Sequence, residues 1–528
     1  MSESDIRSFD QLMQSEGIGD LPPKTALDRI GRLVDLSGDL KREEGTTRAL
    51  EWCDTLAHRD LSDSETALLE YFRANAWANR QKERPSDPAA IWAWEQPELQ
   101  EQVLCIRRAV NSRGFEALHA IRRCQILTNL ANQLNTAGRF VDAIEFWDRA
   151  LAIDPQFGMA LGNRGLALIH YANALYDRGH WAVFLRVAHE NLTAALGPQA
   201  NWDSFRYTEA MSAFEAQRTR IESAVDVGDV SRTVDLDGHD MGESGEERQY
   251  RCWSVDNRLF LNPLNDLGAY RIAARDVLTL PDFVVPIDEP PSLIGFFNQL
   301  KQEFVSARWL YYEGVGSCLP HFSDRGVLLF NTLDYPAYSL AGEKVKVAYR
   351  TAYSLFDKIG FFLNTYLKLG ISPEKVYFRK IWYKEKKDGG RLVRRELEEA
   401  CNWPFRGLFW LSKDLFDRDF RDATEPDAQA LDDIRNHLEH KYFKVHEALA
   451  PVPPDPGLPA APWTDRLAFS LQRRDFEGKT LRLLKLSRAA LIYLSLGMHW
   501  EERRRTTQRG ETSVAPMGLD AWEDDWKR

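Results

Sequence analysis

Hydrophobic residues recur with helical spacing along most of this 528-residue chain. Up to about residue 225 the pattern consists of helical periods broken by short polar turns, with almost no strand-like alternation. From Ser292 onward four longer amphipathic stretches predict bundle helices, beginning near Ser292, Lys344, Ala430 and Thr480, the third running to about Leu449. The pattern predicts an all-α protein with an N-terminal helical domain and a C-terminal elaborated four-helix bundle.

One part of the N-terminal region has the spacing of a 34-residue helix-turn-helix unit. Small residues would let two antiparallel helices approach closely, the turn at Thr136 to Gly138 reverses the chain, and Pro155 ends the second helix. The stretch resembles a tetratricopeptide repeat (TPR), and the positions that carry the resemblance are Leu127, Leu130, Ala131, Leu134, Gly138, Ala143, Trp147, Ala150 and Pro155. A second unit begins at Met159, although its later part departs from the pattern. The alternative is an irregular helical domain with one chance match.

Charge and turn residues divide the chain. Between Asp226 and Glu247 there are eight acids and one arginine, which is typical of a solvated linker. Six prolines from Pro451 to Pro462 predict a stiff crossover before the last helix. We expect a TPR-like domain at 1–225, an acidic linker at 226–249, an irregular or short-strand connector at 250–290, the bundle domain at 291–510 and a tail at 511–528.

Composition limits the class of protein. Hydrophobic residues are 44% and charged residues 28% of the chain, values typical of folded globular proteins. The N-terminus has acids and serines where a secretory signal needs basic and then apolar residues, and no apolar run approaches the length of a membrane span. Six scattered cysteines form no C-x-x-C pair. We expect a cytoplasmic protein with reduced thiols and no membrane contact.

The stretch RNHLEHKY, from Arg435 to Tyr442, carries the candidate chemistry. It fits R-x4-H-x-Y with a polar residue, Asn436, directly after the arginine, on the third predicted bundle helix. The looser pattern R-x4-6-H also begins at Arg113, Arg164 and Arg232. None of those copies has an asparagine after the arginine, so only the Arg435 copy combines all three features.

This motif resembles the active motif of HEPN domains, which are four-helix-bundle ribonucleases. Further stretches resemble the LA2681-like branch of that family, in which helical repeats precede the bundle: NPLNDLG from Asn262, SARWLYYEG around Trp309 and AYSLFDKIGFFLN from Ala352. The resemblance implies metal-independent RNA cleavage without a cofactor, in antiphage defence or as a growth-arresting toxin, and commonly a dimeric active site. In some HEPN toxins an antitoxin modifies the tyrosine that corresponds to Tyr442.

The residue types fit that chemistry. His440 can exchange a proton near neutral pH, and Arg435 presents a permanently charged fork to phosphoryl oxygens. Asn436 lies four residues before His440, on the same helical face, and can hold the imidazole or a phosphate oxygen. Such a set suits attack of a ribose 2′-hydroxyl on its own phosphate, which makes RNA the expected substrate. Because one histidine serves one side of the phosphorus, we expect a homodimer or higher oligomer.

Supporting groups are also predicted. Asp357, on the preceding long helix, could orient Arg435 or His440, or it could belong to an ordinary exposed charge pair with Lys358. Lys375 to Arg395 holds nine basic residues and two acids, interleaved with Tyr377, Phe378, Trp382 and Tyr383, a composition typical of a single-strand RNA surface but also of solvated faces. The predicted RNA-binding residues are Lys375, Arg379, Lys380, Lys384, Arg391, Arg394 and Arg395.

Three alternatives stay open from the sequence. Arg435, Glu439 and His440 could be a solvated helix face with an Arg435–Glu439 pair. The HLEH stretch invites a metallohydrolase hypothesis, although His437 and His440 are three residues apart with the acid between them, which is not zinc-peptidase spacing. The repeats could instead recruit a partner or trigger while a non-catalytic bundle binds RNA or dimerises.

Overall fold

A computed structural model describes residues 3–15, 17–83, 92–202, 207–317, 319–330, 332–385, 390–416, 426–447, 465, 467–510 and 514–527, with the backbone alone at 426–430 and 432. The predicted proline crossover from Pro451 to Pro462 lies outside these residues. In the described part, helices dominate and the strands are short, so the predicted all-α class is confirmed.

Consecutive N-terminal helices pack as antiparallel neighbours. The structure contains α1 (Glu3–Gln14), α2 (Pro23–Leu40), α3 (Glu43–Ala57), α4 (Asp63–Glu83), α5 (Pro97–Asn111), α6 (Ala120–Thr136), α7 (Phe140–Ile153), α8 (Gly158–Ala174), α9 (Arg178–Leu196), α10 (Thr208–Ala224), α11 (Val227–Thr233) and α12 (Gly245–Asp256). The pairs α4–α5, α6–α7 and α8–α9 pack closely along their lengths. The hairpin α6–α7 occupies the residues of the TPR-like unit, whereas the assignment of residues 1–225 to a helical-repeat domain stays a prediction.

The turn of the α6–α7 hairpin needs glycine. Gly138 has a φ of +86°, which L side chains rarely adopt. A Cβ at Gly138 would lie 2.4 Å from the carbonyl oxygen of Trp403, and a Cβ at Gly407 would lie 2.2 Å from the oxygen of Gly138. The two glycines therefore let the hairpin turn touch the backbone of the C-terminal bundle.

The C-terminal region is a helical bundle with two small sheets. Its elements are α13 (Ser292–Gly316), α14 (Leu340–Tyr366), β1 (Tyr383–Glu385), β2 (Arg391–Val393), α15 (Arg395–Glu398), α16 (Trp403–Phe416), α17 (Pro426–His440), β3 (Tyr442–His446), β4 (Ala468–Gln472) and α18 (Arg473–Arg509). Helices α13, α14 and α18 pack together, α16 packs on α18, and α17 packs on α14 and α16. Helix α16 is not among the helices predicted from the sequence. Every residue from Trp403 to Leu415 is buried, including Arg406, Lys413 and Asp414, so this helix has no solvated face.

The third predicted helix is shorter than expected. Helix α17 ends at His440, and Tyr442–His446 form β3, which pairs in parallel with β4, so the prediction of helix to about Leu449 is wrong. Four of the five β3 residues are buried, because they fit between α17, β4 and the loop before α14. Aromatic and β-branched residues such as Phe443 and Val445 favour this pleated, buried conformation.

The acidic segment is not an extended linker. Part of it forms α11 and the start of α12, and Val230, Leu236 and Met241 are buried against neighbouring elements. One aspartate and one serine of the segment cap helices. The Asp226 carboxylate accepts a hydrogen bond from the N–H of Asp229, and the Ser244 hydroxyl accepts one from the N–H of Glu247. The connector after it forms two short 3₁₀ turns, Pro263–Asp266 and Arg271–Ala273, and no strand among its described residues.

The helices from α4 onward and the bundle share one hydrophobic cluster, whose buried members range from Ala67 to Met498, whereas α1–α3 pack with part of α4 around a second cluster. Buried ion pairs cross the same boundary. Asp414 on α16 receives a bidentate pair from Arg107 at 2.8 and 2.9 Å and a second guanidinium from Arg139. Arg139 also binds Asp142, which accepts a 2.9 Å hydrogen bond from the Tyr493 hydroxyl on α18. In the part of the chain that the structure describes, no helix is long and apolar enough to cross a membrane.

Candidate active site

Arg435 and Asn436 form a bonded pair on the last turns of α17. The Arg435 guanidinium donates a 3.1 Å hydrogen bond to Oδ1 of Asn436 and lies 5.7 Å from the ring centroid of Tyr353 on α14. Both side chains are half-buried. The aromatic face and the amide therefore fix the guanidinium while part of it stays open to solvent.

His440 is the last residue of α17, and its side chain is exposed. Among the described residues it makes no hydrogen bond or ion pair, and Arg435 bonds to Asn436 rather than to Glu439. The imidazole is thus accessible to a ligand. The structure places Arg435, Asn436 and His440 within the last six residues of one helix.

Tyr442 begins β3 instead of continuing the helix. Its hydroxyl lies 3.3 Å from that of Tyr338, in the loop before α14. Partial burial, together with the hydrogen bond to Tyr442, raises the pKa of Tyr338 to about 12. Both phenols therefore meet at the surface beside the end of α17.

A buried lysine anchors this end of the bundle, and sequence reasoning missed it. Lys444 on β3 lies between Asp334 at 2.5 Å and Asp465 at 2.8 Å, and its ammonium is 5.1 Å from the Tyr442 ring centroid. Burial alone would lower the lysine pKa, but its hydrogen bonds to both carboxylates outweigh burial and raise that pKa. No local motif signals this cluster, because Asp334 is more than 100 residues away from Lys444 in sequence.

Asp357 has a different neighbour from the one expected. Its carboxylate accepts a 3.1 Å hydrogen bond from the N–H of Phe378, at the loop that follows α14. Among the described residues it makes no hydrogen bond or ion pair with Arg435 or His440. Its neighbour Lys358 pairs with Glu303 at 2.5 Å. Asp357 therefore holds the loop, and its role toward Arg435 stays a prediction.

Part of the predicted basic stripe is open to solvent. Lys375, Arg379 and Lys380 are exposed around Tyr377, whose ring lies 5.9 Å from the Arg379 guanidinium and 5.2 Å from the Lys380 ammonium. Arg391 is also exposed, on β2. We call Lys375, Tyr377, Arg379 and Lys380 the basic loop surface. Lys384 and Arg395 are exposed but bind acids, Glu396 at 2.9 Å and Glu399 at 2.5 Å respectively.

Three residues of the stripe are buried, which corrects the prediction for them. Arg394 is 8% exposed, and its Nε donates a 2.8 Å hydrogen bond to the carbonyl oxygen of Ile381, so it fixes the loop instead of facing RNA. Phe378 and Trp382 lie in the core and cannot stack on bases. The sequence pattern misleads here because aromatic residues next to cations also close a core under a charged surface.

The described residues provide no ligand set for the metal site hypothesised from HLEH. The Nδ1 atom of His437 lies 2.7 Å from the carbonyl oxygen of Asp433, and its ring stacks on Phe469. His446 is fully buried on β3, with Nδ1 2.9 Å from the carbonyl oxygen of Asp334. Within the described residues, no group of three or more His, Cys, Asp or Glu side chains is arranged to hold a metal ion.

Comparison with known families agrees with this geometry. Residues 284–501 match the LA2681-like HEPN family. This region is an LA2681-like HEPN domain. It begins just before α13 and ends within α18, so it includes α17 and the Arg435 motif, whereas the NPLNDLG stretch at Asn262 lies outside it. No curated protein and no solved structure matches the chain significantly. A HEPN domain is consistent with RNA cleavage or RNA binding.

Proposed function

We propose that this protein is a metal-independent endoribonuclease. The observation that carries the proposal is the end of α17 in the HEPN domain, where an exposed His440 and the bonded Arg435–Asn436 pair fall within the last six residues of one helix. Phosphoryl transfer without a metal needs a group that exchanges protons and a fixed positive charge. His440 and the Arg435 guanidinium are of these two kinds, and both are accessible to solvent.

The reaction follows from these groups. His440 takes the proton of a ribose 2′-hydroxyl, and O2′ attacks the adjacent phosphorus as the bond from phosphorus to O5′ breaks. Arg435, held by Asn436, stabilises the added charge on the phosphoryl oxygens. The leaving O5′ receives a proton from a second acid, and the products are a 2′,3′-cyclic phosphate and a free 5′-hydroxyl.

RNA binding is assigned to the basic loop surface and Arg391. Cations around an exposed tyrosine ring combine phosphate attraction with base stacking, which suits an unpaired strand. Lys384 and Arg395 contribute less, because Glu396 and Glu399 neutralise them in the free protein. Arg394 is left out of this role.

The proposal includes a homodimer or higher assembly and control by the helical repeats. A single exposed histidine per motif leaves one side of the phosphorus without a proton donor, and a second chain supplies it. An RNase in the cytoplasm damages its own cell unless it is restrained until a trigger activates it, as in antiphage defence or toxin-like growth arrest. Helical repeats offer extended surfaces for such a trigger or for a protein partner.

The test is cleavage of labelled RNA by the full-length protein in excess chelator. We expect cleavage by the native protein, loss of at least 100-fold in His440→Ala and Arg435→Ala, and native rates in Glu439→Ala, an exposed neighbour on the same turn. A substrate with 2′-deoxyribose at the cut site should resist cleavage.

Other outcomes of the cleavage assay would favour one of the two alternative functions. Activity that appears only with added zinc would favour the metallohydrolase. Tight RNA binding without cleavage, unaffected by His440→Ala, would favour the non-catalytic scaffold.

A further inference from the structure

A cleft of about 530 Å³ lies where the N-terminal helices, the connector and α18 meet. Its walls are Tyr176 in the loop between α8 and α9, the connector at residues 279–282, and the side of α18 that carries His499, Arg503 and Thr506. The volume is in the range of small-molecule sites, which measure about 300–1,000 Å³. No residue assigned above to RNA cleavage or RNA binding lines this cleft, so we call it the junction cleft and consider its chemistry separately.

Hydrogen bonds hold the walls of the junction cleft together. The Tyr176 hydroxyl donates a 2.8 Å hydrogen bond to the carbonyl oxygen of Thr279 and accepts one of 3.2 Å from the N–H of the same residue. Ser495 on α18 donates to that carbonyl oxygen at 2.6 Å. Three segments that are distant in sequence are therefore bonded at one point. A cleft that is already formed costs a ligand less ordering entropy on binding.

Arg503 gives the junction cleft a positive charge. The arginines that follow it on α18 are neutralised by acids of the same helix, Arg504 by Glu501 at 2.7 Å, and Arg505 and Arg509 by Glu502 at 3.1 and 3.0 Å. Arg503 is exposed, and among the described residues its guanidinium pairs with no carboxylate and makes one long hydrogen bond, of 3.5 Å to the carbonyl oxygen of Asn173. A planar guanidinium in this situation suits a phosphate group.

The connector wall carries the opposite charge. Asp282 is exposed, and within the described part of the chain its carboxylate makes no hydrogen bond or ion pair. Glu502 also lines the cleft, but two arginines of α18 and the Tyr366 hydroxyl bind its carboxylate. A cleft with one available cation and one available carboxylate suits a ligand that has an anionic end and a hydrogen-bond donor elsewhere, because a carboxylate only accepts hydrogen bonds.

The junction cleft also offers a surface for a flat ring. Tyr176 and His499 are half-buried, and their rings meet edge to face with 5.6 Å between the centroids. Leu280 and Pro281 add apolar walls. Burial and the charge of Arg503 lower the pKa of His499, so its imidazole is neutral at pH 7. Aromatic rings of this kind stack on nucleobases.

We propose that the junction cleft binds a mononucleotide whose base carries an exocyclic amine. The phosphate binds Arg503 and the hydroxyl of Thr506, the base stacks on Tyr176 and His499, and the amine donates a hydrogen bond to Asp282. A phosphate ion or a nucleoside would each use only one of the two charged walls. Because the walls belong to the N-terminal helices, the connector and α18, the bound nucleotide stabilises the junction of all three. The inference does not rest on the nuclease function.

The first test measures nucleotide binding to the full-length native protein by isothermal titration calorimetry. The probes are AMP and CMP, their amine-free analogues IMP and UMP, and the parts of AMP, namely adenosine, ribose 5-phosphate and inorganic phosphate. AMP or CMP should bind roughly tenfold or more tightly than its amine-free analogue and than each of the parts, and should raise the thermal unfolding midpoint. If neither binds more tightly than inorganic phosphate, or if the amine makes no difference, the proposal is overturned.

The second test locates the site with single substitutions. Arg503→Ala should weaken binding of the preferred nucleotide roughly tenfold or more, and Asp282→Ala should remove the preference for the amine. Both residues are exposed, so the unfolding midpoint without ligand should not change. The matched control is Arg220→Ala, which removes an exposed arginine of α10 and should bind as the native protein does. Native affinity in Arg503→Ala would contradict the proposal.

A further variant separates the junction cleft from the candidate active site, which would also attract nucleotides if it cleaves RNA. His440→Ala should bind the preferred nucleotide with native affinity. Loss of binding in His440→Ala would place the nucleotide at the end of α17 and overturn the inference. If the native protein cleaves no RNA while Arg503→Ala loses nucleotide binding, the junction cleft is supported and the nuclease function fails, so the two failures are distinguishable.

Discussion

Asp142 and Lys444 are buried charged residues that are paired with opposite charges, and the pairing sets their protonation. Burial alone would raise the pKa of Asp142, but the Arg139 charge and its hydrogen bonds outweigh burial and lower that pKa to about 2. For Lys444, which carries the opposite charge, the carboxylate partners raise the pKa. Each ion in these pairs depends on its partner, because an unpaired charge in the core is costly.

Stability should therefore fall in acid. A folded-state pKa of about 2 for Asp142, against its ordinary value near 4, contributes about 2 kcal/mol of unfolding free energy that is present above pH 4 and lost as the pH falls toward 2. Urea unfolding at pH 7, 4 and 3 measures this loss. The variant Asp142→Asn should be less stable at pH 7 and show a smaller drop between pH 4 and 3; an equal drop would contradict the assignment.

Arg394 and Arg379 should behave differently although both belong to the basic stripe. Arg394→Ala removes the bond to Ile381 and should lower the unfolding free energy by about 1–3 kcal/mol with little change in RNA affinity per folded molecule. Arg379→Ala/Lys380→Ala removes exposed cations and should leave stability unchanged.

RNA titrations at several salt concentrations separate the two variants. The Arg379→Ala/Lys380→Ala protein should bind single-stranded RNA more weakly, with a salt slope lower by about 0.7 for each phosphate that it no longer neutralises. An unchanged slope would exclude these two residues from the RNA surface.

At the level of elements, the junction between α17 and β3 determines where His440 lies. The helix stops at His440 because the next residues join the parallel β3–β4 pair, with Phe443 and Val445 buried beneath it. Lys444 then joins β3 to the loop before α14 through its ion pair with Asp334. The motif is therefore held at a helix end by a strand, not in the middle of a helix.

Lys444→Met tests this arrangement. It leaves Asp334 without its ammonium partner and should lower the unfolding free energy by about 2 kcal/mol. Hydrogen exchange should increase at the N–H of Ala337, whose bond to Val445 joins the loop to β3. Lys441→Met, an exposed neighbour, is the control and should change neither quantity. Equal exchange at Ala337 in the two variants would contradict the role given to Lys444.

On the scale of the whole molecule, the N-terminal helices and the HEPN domain are joined by buried charges as well as by core packing. Arg107 and Arg139 both bind Asp414, and the Tyr493 hydroxyl binds Asp142. Arg488 on α18 binds Asp266 at 2.5 Å, and the Tyr171 hydroxyl on α8 donates to the same carboxylate at 2.8 Å. Any control that the N-terminal helices exert on the HEPN domain would have to act through this buried contact.

Asp414→Ala should destabilise the entire protein. It leaves Arg107 without this carboxylate and Arg139 with Asp142 alone, at a cost of about 3–5 kcal/mol. We expect one cooperative calorimetric transition at a lower midpoint. Glu399→Ala, which breaks an exposed pair with Arg395, should leave the midpoint within about 1 °C of the native value.

A second melting unit in Asp414→Ala would contradict the shared core. By the same reasoning, residues 250–528 expressed alone should be insoluble, since the bundle would expose core residues such as Trp403 and Tyr493, on which Phe140 of α7 packs. Regulation by the repeats therefore has to be tested in the full chain.

Local information sufficed for much of this protein. The spacing of apolar residues determined the long helices α13, α14 and α18, and glycine with small residues determined the α6–α7 hairpin, because helical periodicity and turn conformation are properties of neighbouring residues. The motif RNHLEHKY pointed to the HEPN family for the same reason. What only tertiary structure decided was which charges face water: Arg394 and Arg379 read alike in the sequence, yet one lies in the core and the other at the surface. The partners of Lys444, Asp414 and Asp357 likewise lie far away along the chain or on other elements. These pairings could not be predicted from the sequence, because burial and charge pairing depend on distant segments that meet only in the folded state.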